Sequence, residues 1–146
     1  MVHIATPVEM YELGIQIGGQ LAPGDLVLLN GALGAGKTLL TQGVGAALGI
    51  TDITSPTFVI SRKHTGRIAL LHVDAYRLMQ TENPNLSLDD LDLDTDRENA
   101  VTVVEWGGTL ATRLADEYLE INIDRTSDIR AVSAVGHGKR WEGFSL

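Results

Sequence analysis

The sequence predicts an α/β fold in three layers, with helices on both faces of a mixed, partly antiparallel central sheet. Three observations carry that expectation. The run Leu26-Val27-Leu28-Leu29-Asn30 is apolar almost throughout, the pattern of a strand covered on both faces. A glycine-rich turn follows it and leads into Leu40, Val44 and Leu48, one side of a helix. Later, two short β-type stretches, residues 57 to 64 and 67 to 74, flank Thr65-Gly66, which fits a two-residue hairpin turn and makes the sheet mixed.

The first helix opens at Thr6, a capping residue, with Pro7 suited to the first turn and Glu9 placed to reach back. Met10, Leu13, Ile17 and Leu21 form its apolar stripe, and Pro23-Gly24-Asp25 is the turn expected to end it. The second helix should stop at Gly49. Residues 82 to 98 carry Glu82, Asp89, Asp90, Asp92, Asp94, Asp96 and Glu98 among leucines, which suits a short capped helix and a solvated loop. The glycine and closing glutamate of a calcium-binding loop are absent from that run. Val101 to Glu105 is a further strand, Thr109 to Ala115 a short helix, and Leu119, Ile121 and Ile123 alternate with polar residues in a half-exposed strand. Ile129 to Val135 should pair with that strand as a closing hairpin.

A chain of 146 residues suits one domain, 1–146, with no room for a separate substrate domain. The apolar fraction of 44% is that of an ordinary globule able to bury a core. Zero cysteines exclude disulfides, thiol catalysis and cysteine-ligated metal sites. A net charge of −8 argues against unaided binding to nucleic acid, which is led by Lys and Arg meeting phosphates. No stretch approaches the roughly 18–20 apolar residues of a membrane span, and Met1 to Thr6 lack the regions of a signal peptide, so no membrane and a cytoplasmic location are expected.

The chemistry lies in Gly31-Ala32-Leu33-Gly34-Ala35-Gly36-Lys37-Thr38, which fits G-x-x-x-x-G-K-[ST] without a mismatch. It leaves an apolar strand and opens a helix, the placement in which backbone N–H groups and a helix N-terminus surround a phosphate. The expected fold is therefore P-loop NTPase-like. Lys37 would bridge β- and γ-phosphates, and the Thr38 hydroxyl would occupy one Mg²⁺ position. Asp74 and Glu105 each close a predicted strand, where ligands of open α/β sheets collect. One of the two should hold Mg²⁺, leaving the other to orient a water, and their positions in the sequence do not say which. His72, inside an apolar strand, suits a hydrogen-bonded structural role, and His3, His64, His72 and His137 show no metal-ligand spacing. Residues 136 to 141 make a basic spot that suits a hairpin end, with docking to a partner or tRNA as the lesser reading.

Gly31 to Thr38, Ser55-Pro56-Thr57-Phe58, His72-Val73-Asp74-Ala75-Tyr76-Arg77 and Val104-Glu105-Trp106 together resemble the bacterial TsaE (YjeE) ATPases of tRNA threonylcarbamoyladenosine biosynthesis. The resemblance implies that Leu33, Gly34, Ala35, Gly36, Lys37, Thr38 and Leu39 contact ATP, joined by Thr57 in a switch-like loop and by Trp106. It implies that Thr38 and Glu105 hold Mg²⁺, with Lys37, Asp74 and Glu105 as the catalytic set. It further implies ATP hydrolysis in support of the TsaB–TsaD transferase, with tRNA met only through that complex. Few arginines have an evident route to the γ-phosphate, Arg77 being the one tied to a site motif, so hydrolysis is expected to be slow until a partner completes or orders the site. Ala32, Leu39, Met10 and Gly107 depart from the family's usual Asp, Thr, Thr and Pro, which touches adenine contacts more than phosphate chemistry. Two other readings suit the same phosphate loop, a small-molecule kinase and a module that binds ATP without hydrolysing it.

Overall fold

The apolar run after Asp25 forms β2 (Leu26–Gly31), the fourth of seven strands in one sheet. The computed structural model describes residues 1–32, 34–51, 53, 61–74, 98–105 and 116–146. In chain order its other elements are β1 (Val2–Ile4), α1 (Pro7–Gly18), α2 (Lys37–Ala47), β3 (Ser61–His64), β4 (Ala69–Asp74), β5 (Ala100–Glu105), β6 (Tyr118–Asp124) and β7 (Arg130–His137). A 3₁₀ turn follows at Lys139–Trp141. The strand order is β1-β7-β6-β2-β5-β4-β3. The inner pairs β6–β2, β2–β5 and β5–β4 are parallel, whereas β1–β7, β7–β6 and β4–β3 are antiparallel, so the sheet is mixed as the sequence predicts.

The parallel centre is buried on both faces. Val27, Leu29, Leu70, Val101, Val103, Leu119 and Ile121 share one face and pack with Met10, Leu13 and Ile17 of α1 and Leu40 and Val44 of α2. Leu26, Leu28, Leu71, Val73 and Val104, the alternate residues, are also buried. Helices of 12 and 11 residues are too short to persist alone in water, so this packing holds them, at about 1.5–3 kcal/mol for each large side chain fully buried. Thr6 caps α1 as expected, accepting from the Glu9 N–H at 3.2 Å, while Glu9 reaches back to the Ala5 N–H at 2.9 Å. The two helices cross at glycines: a Cβ on Gly43 would lie 2.1 Å from the Tyr11 carbonyl oxygen, and one on Gly14 would lie 2.2 Å from that of Leu40.

Several expectations are corrected. Helix α1 ends at Gly18, before Pro23-Gly24-Asp25, and its last turns are closed by Gln20 and Leu21 N–H groups bonding back to Ile17 and Gly18. The β3–β4 hairpin has no two-residue turn: β3 ends at His64 and β4 begins at Ala69, leaving residues 65 to 68 as the connection, and the last pair is His64 with Leu70. The basic spot is not a hairpin end. The chain leaves β7 and folds back so that Trp141 is buried, with Arg140 stacked 4.3 Å from its ring and paired in two-pronged fashion with Asp25 at 3.0 and 2.9 Å. The acidic residues 82 to 97 and the helix expected at 109–115 lie outside the described residues.

Candidate phosphate-binding site

Gly31, Asp74, Glu105 and Asp124 end four neighbouring parallel strands at one margin of the sheet. From Gly31 the chain turns through Gly34 (φ 79°) and Gly36 (φ 112°), both in the left-handed region that side chains disfavour, and enters α2 at Lys37. Among the described residues no side chain caps this helix, whose N-cap is Gly36. The first N–H groups of a helix have no partner within it, and where no side chain meets them they suit an anion. The Thr41 hydroxyl, donating 2.8 Å to the Lys37 carbonyl, pins the first turn.

Lys37 is buried to 8% exposure and donates to the carbonyls of Gly31 and Ala32. Its ammonium therefore sits inside the loop. Burial holds its pKa below the ordinary 10.5, opposed by the charges of Glu105 first and Asp74 second. Those two acids are register partners on β4 and β5 and share the sheet face that α1 and α2 cover. His72, two residues before Asp74 on that face, is fully buried with Nε2 3.4 Å from Glu105 Oε1. Thr38 is half-buried in the first turn of α2.

Beside the loop lies a cavity of about 240 Å³ lined by Ile4, Thr6, Met10, Gly36, Leu39 and Arg130. Its walls come from the start of α1, the loop and β7, so Leu39 faces a pocket next to the phosphate loop. Arg130 Nη2 approaches the Gly34 carbonyl at 3.5 Å, and a Cβ on Gly34 would lie 2.6 Å from Arg125 Nη1.

Of the residues singled out in the sequence, the structure brings together Gly34, Ala35, Gly36, Lys37, Thr38, Leu39, Asp74 and Glu105. Leu33, Thr57 and Trp106 lie outside the described residues, as do Ser55 to Phe58 and Tyr76-Arg77. Sequence reasoning missed Arg125 and Arg130, which come to the loop only because β6 lies beside β2 and β7 returns along it. It also gave His72 no part at the site, although the two-residue spacing from Asp74 was the available signal.

Oxygen ligands suit Mg²⁺, which takes one or two carboxylates and completes its shell with water and phosphate oxygens. The Thr38 hydroxyl in the first turn of α2 and the buried Glu105 carboxylate at the end of β5 are oxygen donors of that kind and fit that demand. Among the described residues no group of three or more His, Asp or Glu could hold a metal ion. No helix among the described residues is long and apolar enough to cross a membrane.

A strand, a glycine loop with a buried lysine and a helix, beside carboxylates on the next parallel strands, define a P-loop fold of the nucleotide-binding class. A crystal structure of Bacillus subtilis YdiB superposes with a TM-score of 0.78 at 31% identity, covering 97% of this chain and 87% of that one. A family model described as "Threonylcarbamoyl adenosine biosynthesis protein TsaE" matches residues 4–132. Relatives described as tRNA threonylcarbamoyladenosine biosynthesis protein TsaE include one from Streptomyces coelicolor, 44% identical over 90% of this chain and 93% of its own length. One from Mycobacterium bovis is 49% identical over 79% of this chain and 73% of its own, and one from Bacillus subtilis 40% identical over 82% and 75%. The chain belongs to the TsaE family of tRNA threonylcarbamoyladenosine biosynthesis.

Proposed function

We propose that this protein binds ATP with Mg²⁺ and hydrolyses it, slowly alone and faster with TsaB and TsaD, to support turnover of the threonylcarbamoyl transferase complex. One observation carries the reading: a buried lysine inside a glycine loop, with two in-register carboxylates at the ends of the adjacent parallel strands. The loop N–H groups from Gly34 to Leu39 would cradle the phosphates, and Lys37 would exchange its bonds to Gly31 and Ala32 for phosphate oxygens. The cavity at Met10 and Leu39, apolar and continuous with the loop, would seat the base. Thr38 and Glu105 would hold Mg²⁺, whose contribution is to neutralise charge on the transferring phosphoryl group. Asp74, the register partner of Glu105, would then be the carboxylate that orients the attacking water, and Thr57 and Trp106 would complete the site as the family resemblance implies.

Phosphoryl transfer to water is mostly positioning and charge neutralisation, and a cation at the γ-phosphate can contribute about 10³–10⁵ in rate. Arg130 is engaged by the Asp128 and Gly34 carbonyls on the cavity side of the loop, away from the paired acids. On this reading a partner supplies that cation or the order it needs. With a net charge of −8, tRNA would be met through the complex.

The test measures Mg-ATP binding by calorimetry and phosphate release alone and with TsaB and TsaD. Binding lost in Lys37→Ala, slow turnover alone and stimulation by both partners together are expected. Absence of binding, or fast turnover that the partners leave unchanged, overturns the reading. Retained complementation of a deletion strain by a Glu105→Ala variant that no longer hydrolyses ATP would favour the non-hydrolytic module.

A further inference from the structure

We propose that His72 is a positioning residue that holds the Glu105 carboxylate in its working orientation through a ring N–H directed from β4 across to β5. The inference rests on the reading of Glu105 as an acidic residue of the nucleotide site. His72 is fully buried on the face shared by Leu70, Val101 and Val103. Its register partner is Val103, so Glu105 lies one step further along the same face, and the ring leans diagonally to bring Nε2 within 3.4 Å of Oε1. Among the described residues, neither ring nitrogen of His72 makes a hydrogen bond, and neither does Glu105 Oε1.

Three buried polar atoms without partners are uncommon, because removing such groups from water without a replacement bond is costly. An apolar residue would fill the place of His72 without that cost, as valine and leucine do at the adjoining positions. The imidazole makes physical sense when its one neutral N–H is on Nε2 and donates to Oε1, a contact that a shift of a few tenths of an ångström brings into the range of about 2.7–3.2 Å. Lys37 acts on the same carboxylate from the loop. A donor at Oε1 leaves Oε2 to be presented to whatever Glu105 serves. The outer partners of ligating groups typically matter by about 10- to 100-fold in metal affinity when removed.

The test compares wild type, His72→Leu, His72→Gln, Glu105→Ala and the His72→Leu/Glu105→Ala double variant. ATP affinity is measured by calorimetry in Mg²⁺ and in EDTA, with thermal unfolding followed in metal-free buffer. His72→Leu should weaken binding in Mg²⁺ by about tenfold or more and leave binding in EDTA unchanged. His72→Gln, whose amide N–H can occupy the Nε2 position, should recover most of the loss. In the Glu105→Ala background His72→Leu should add nothing, and the metal-free unfolding midpoints should be non-additive between the two positions. If Glu105→Ala loses the Mg²⁺ dependence while His72→Leu keeps it, the positioning role is overturned and the nucleotide reading stands. Equal losses in Mg²⁺ and EDTA together with a lowered unfolding temperature would overturn it in favour of plain packing. A wild-type affinity indifferent to Mg²⁺ would overturn the metal reading and this inference with it.

Discussion

Replacing Gly43 by alanine sets two known effects against each other at the helix crossing that supports the loop. Alanine in a helix interior is favoured over glycine by about 1 kcal/mol. Against this, the new Cβ would stand 2.1 Å from the Tyr11 carbonyl oxygen and 2.9 Å from Gly14 Cα, both backbone atoms that no rotamer change can move. Since carbon contacts are comfortable near 3.5–4.0 Å, α1 and α2 would have to part by roughly 1 Å or more. Overpacking of this kind costs about 1–3 kcal/mol, occasionally more, and parting the helices also loosens Met10 and Leu13 against Leu40 and Val44. Taking the upper figure and subtracting the propensity gain leaves a net loss of about 2 kcal/mol. Urea unfolding midpoints measure it, with Gly19→Ala as the comparison. Gly19 has φ −65°, and a Cβ there meets only carbonyl oxygens at 3.5 and 3.6 Å, so that change should be neutral or stabilising by up to about 1 kcal/mol. A Gly43→Ala protein as stable as Gly19→Ala would refute the close crossing.

Because the folded pKa of Lys37 lies below 10.5, the unfolded chain binds more protons between the two values, and the Lys37 contribution to stability rises with pH across that window. Below the window the burial cost is present in full. Wild type should therefore gain stability relative to Lys37→Met as pH climbs through it, and a constant difference in denaturant midpoints would contradict this. Arg140→Met removes both bonds to Asp25 and one to the Gln20 carbonyl. The Asp25 side chain is 9% exposed but that of Arg140 is 39%, so solvent screening reduces the expected loss to about 1–3 kcal/mol. ATP affinity should be unchanged, and a variant of normal stability that binds ATP poorly would assign Arg140 elsewhere.

Much of this fold was legible because its patterns are local. The Thr6 cap, the apolar stripe and the central strand each stand on nearby residues: the cap and the stripe as far as Ile17 occur as read, Leu21 falls beyond the helix, and the strand read over 26–30 runs one residue further, to Gly31. Strand β1 went unread because three residues, Val2-His3-Ile4, are too few to show a period. The lengths of α1 and of the 65–68 connection were misjudged because glycines and backbone bonding, invisible to apolar spacing, decide where they stop. At the site, the contiguous phosphate loop was plain, and Asp74 and Glu105 were found from their strand ends. Arg125 and Arg130 were not, since their approach to Gly34 depends on strand order, which no local pattern encodes. Arg140 carried a charge that suggested a surface role, and only the tertiary return of Trp141 reveals its partner, Asp25.

The placement of charge also explains how a chain of net charge −8 can serve as a polyphosphate site. Bulk charge acts at a distance and is screened within about 8–10 Å in salt, whereas two unit charges about 4 Å apart in a medium of effective dielectric 20 interact by about 4 kcal/mol. Attraction must then be local, and here it is concentrated in backbone N–H groups and one ammonium at the front of α2. Glu105 stands one strand away and Asp74 two, where a single lysine cannot offset both. A site with that imbalance would disfavour bare polyanions and favour a nucleotide that brings its own divalent cation, so on the proposed reading the charges of Asp74 and Glu105 would select the ligand state that the glycine loop grips.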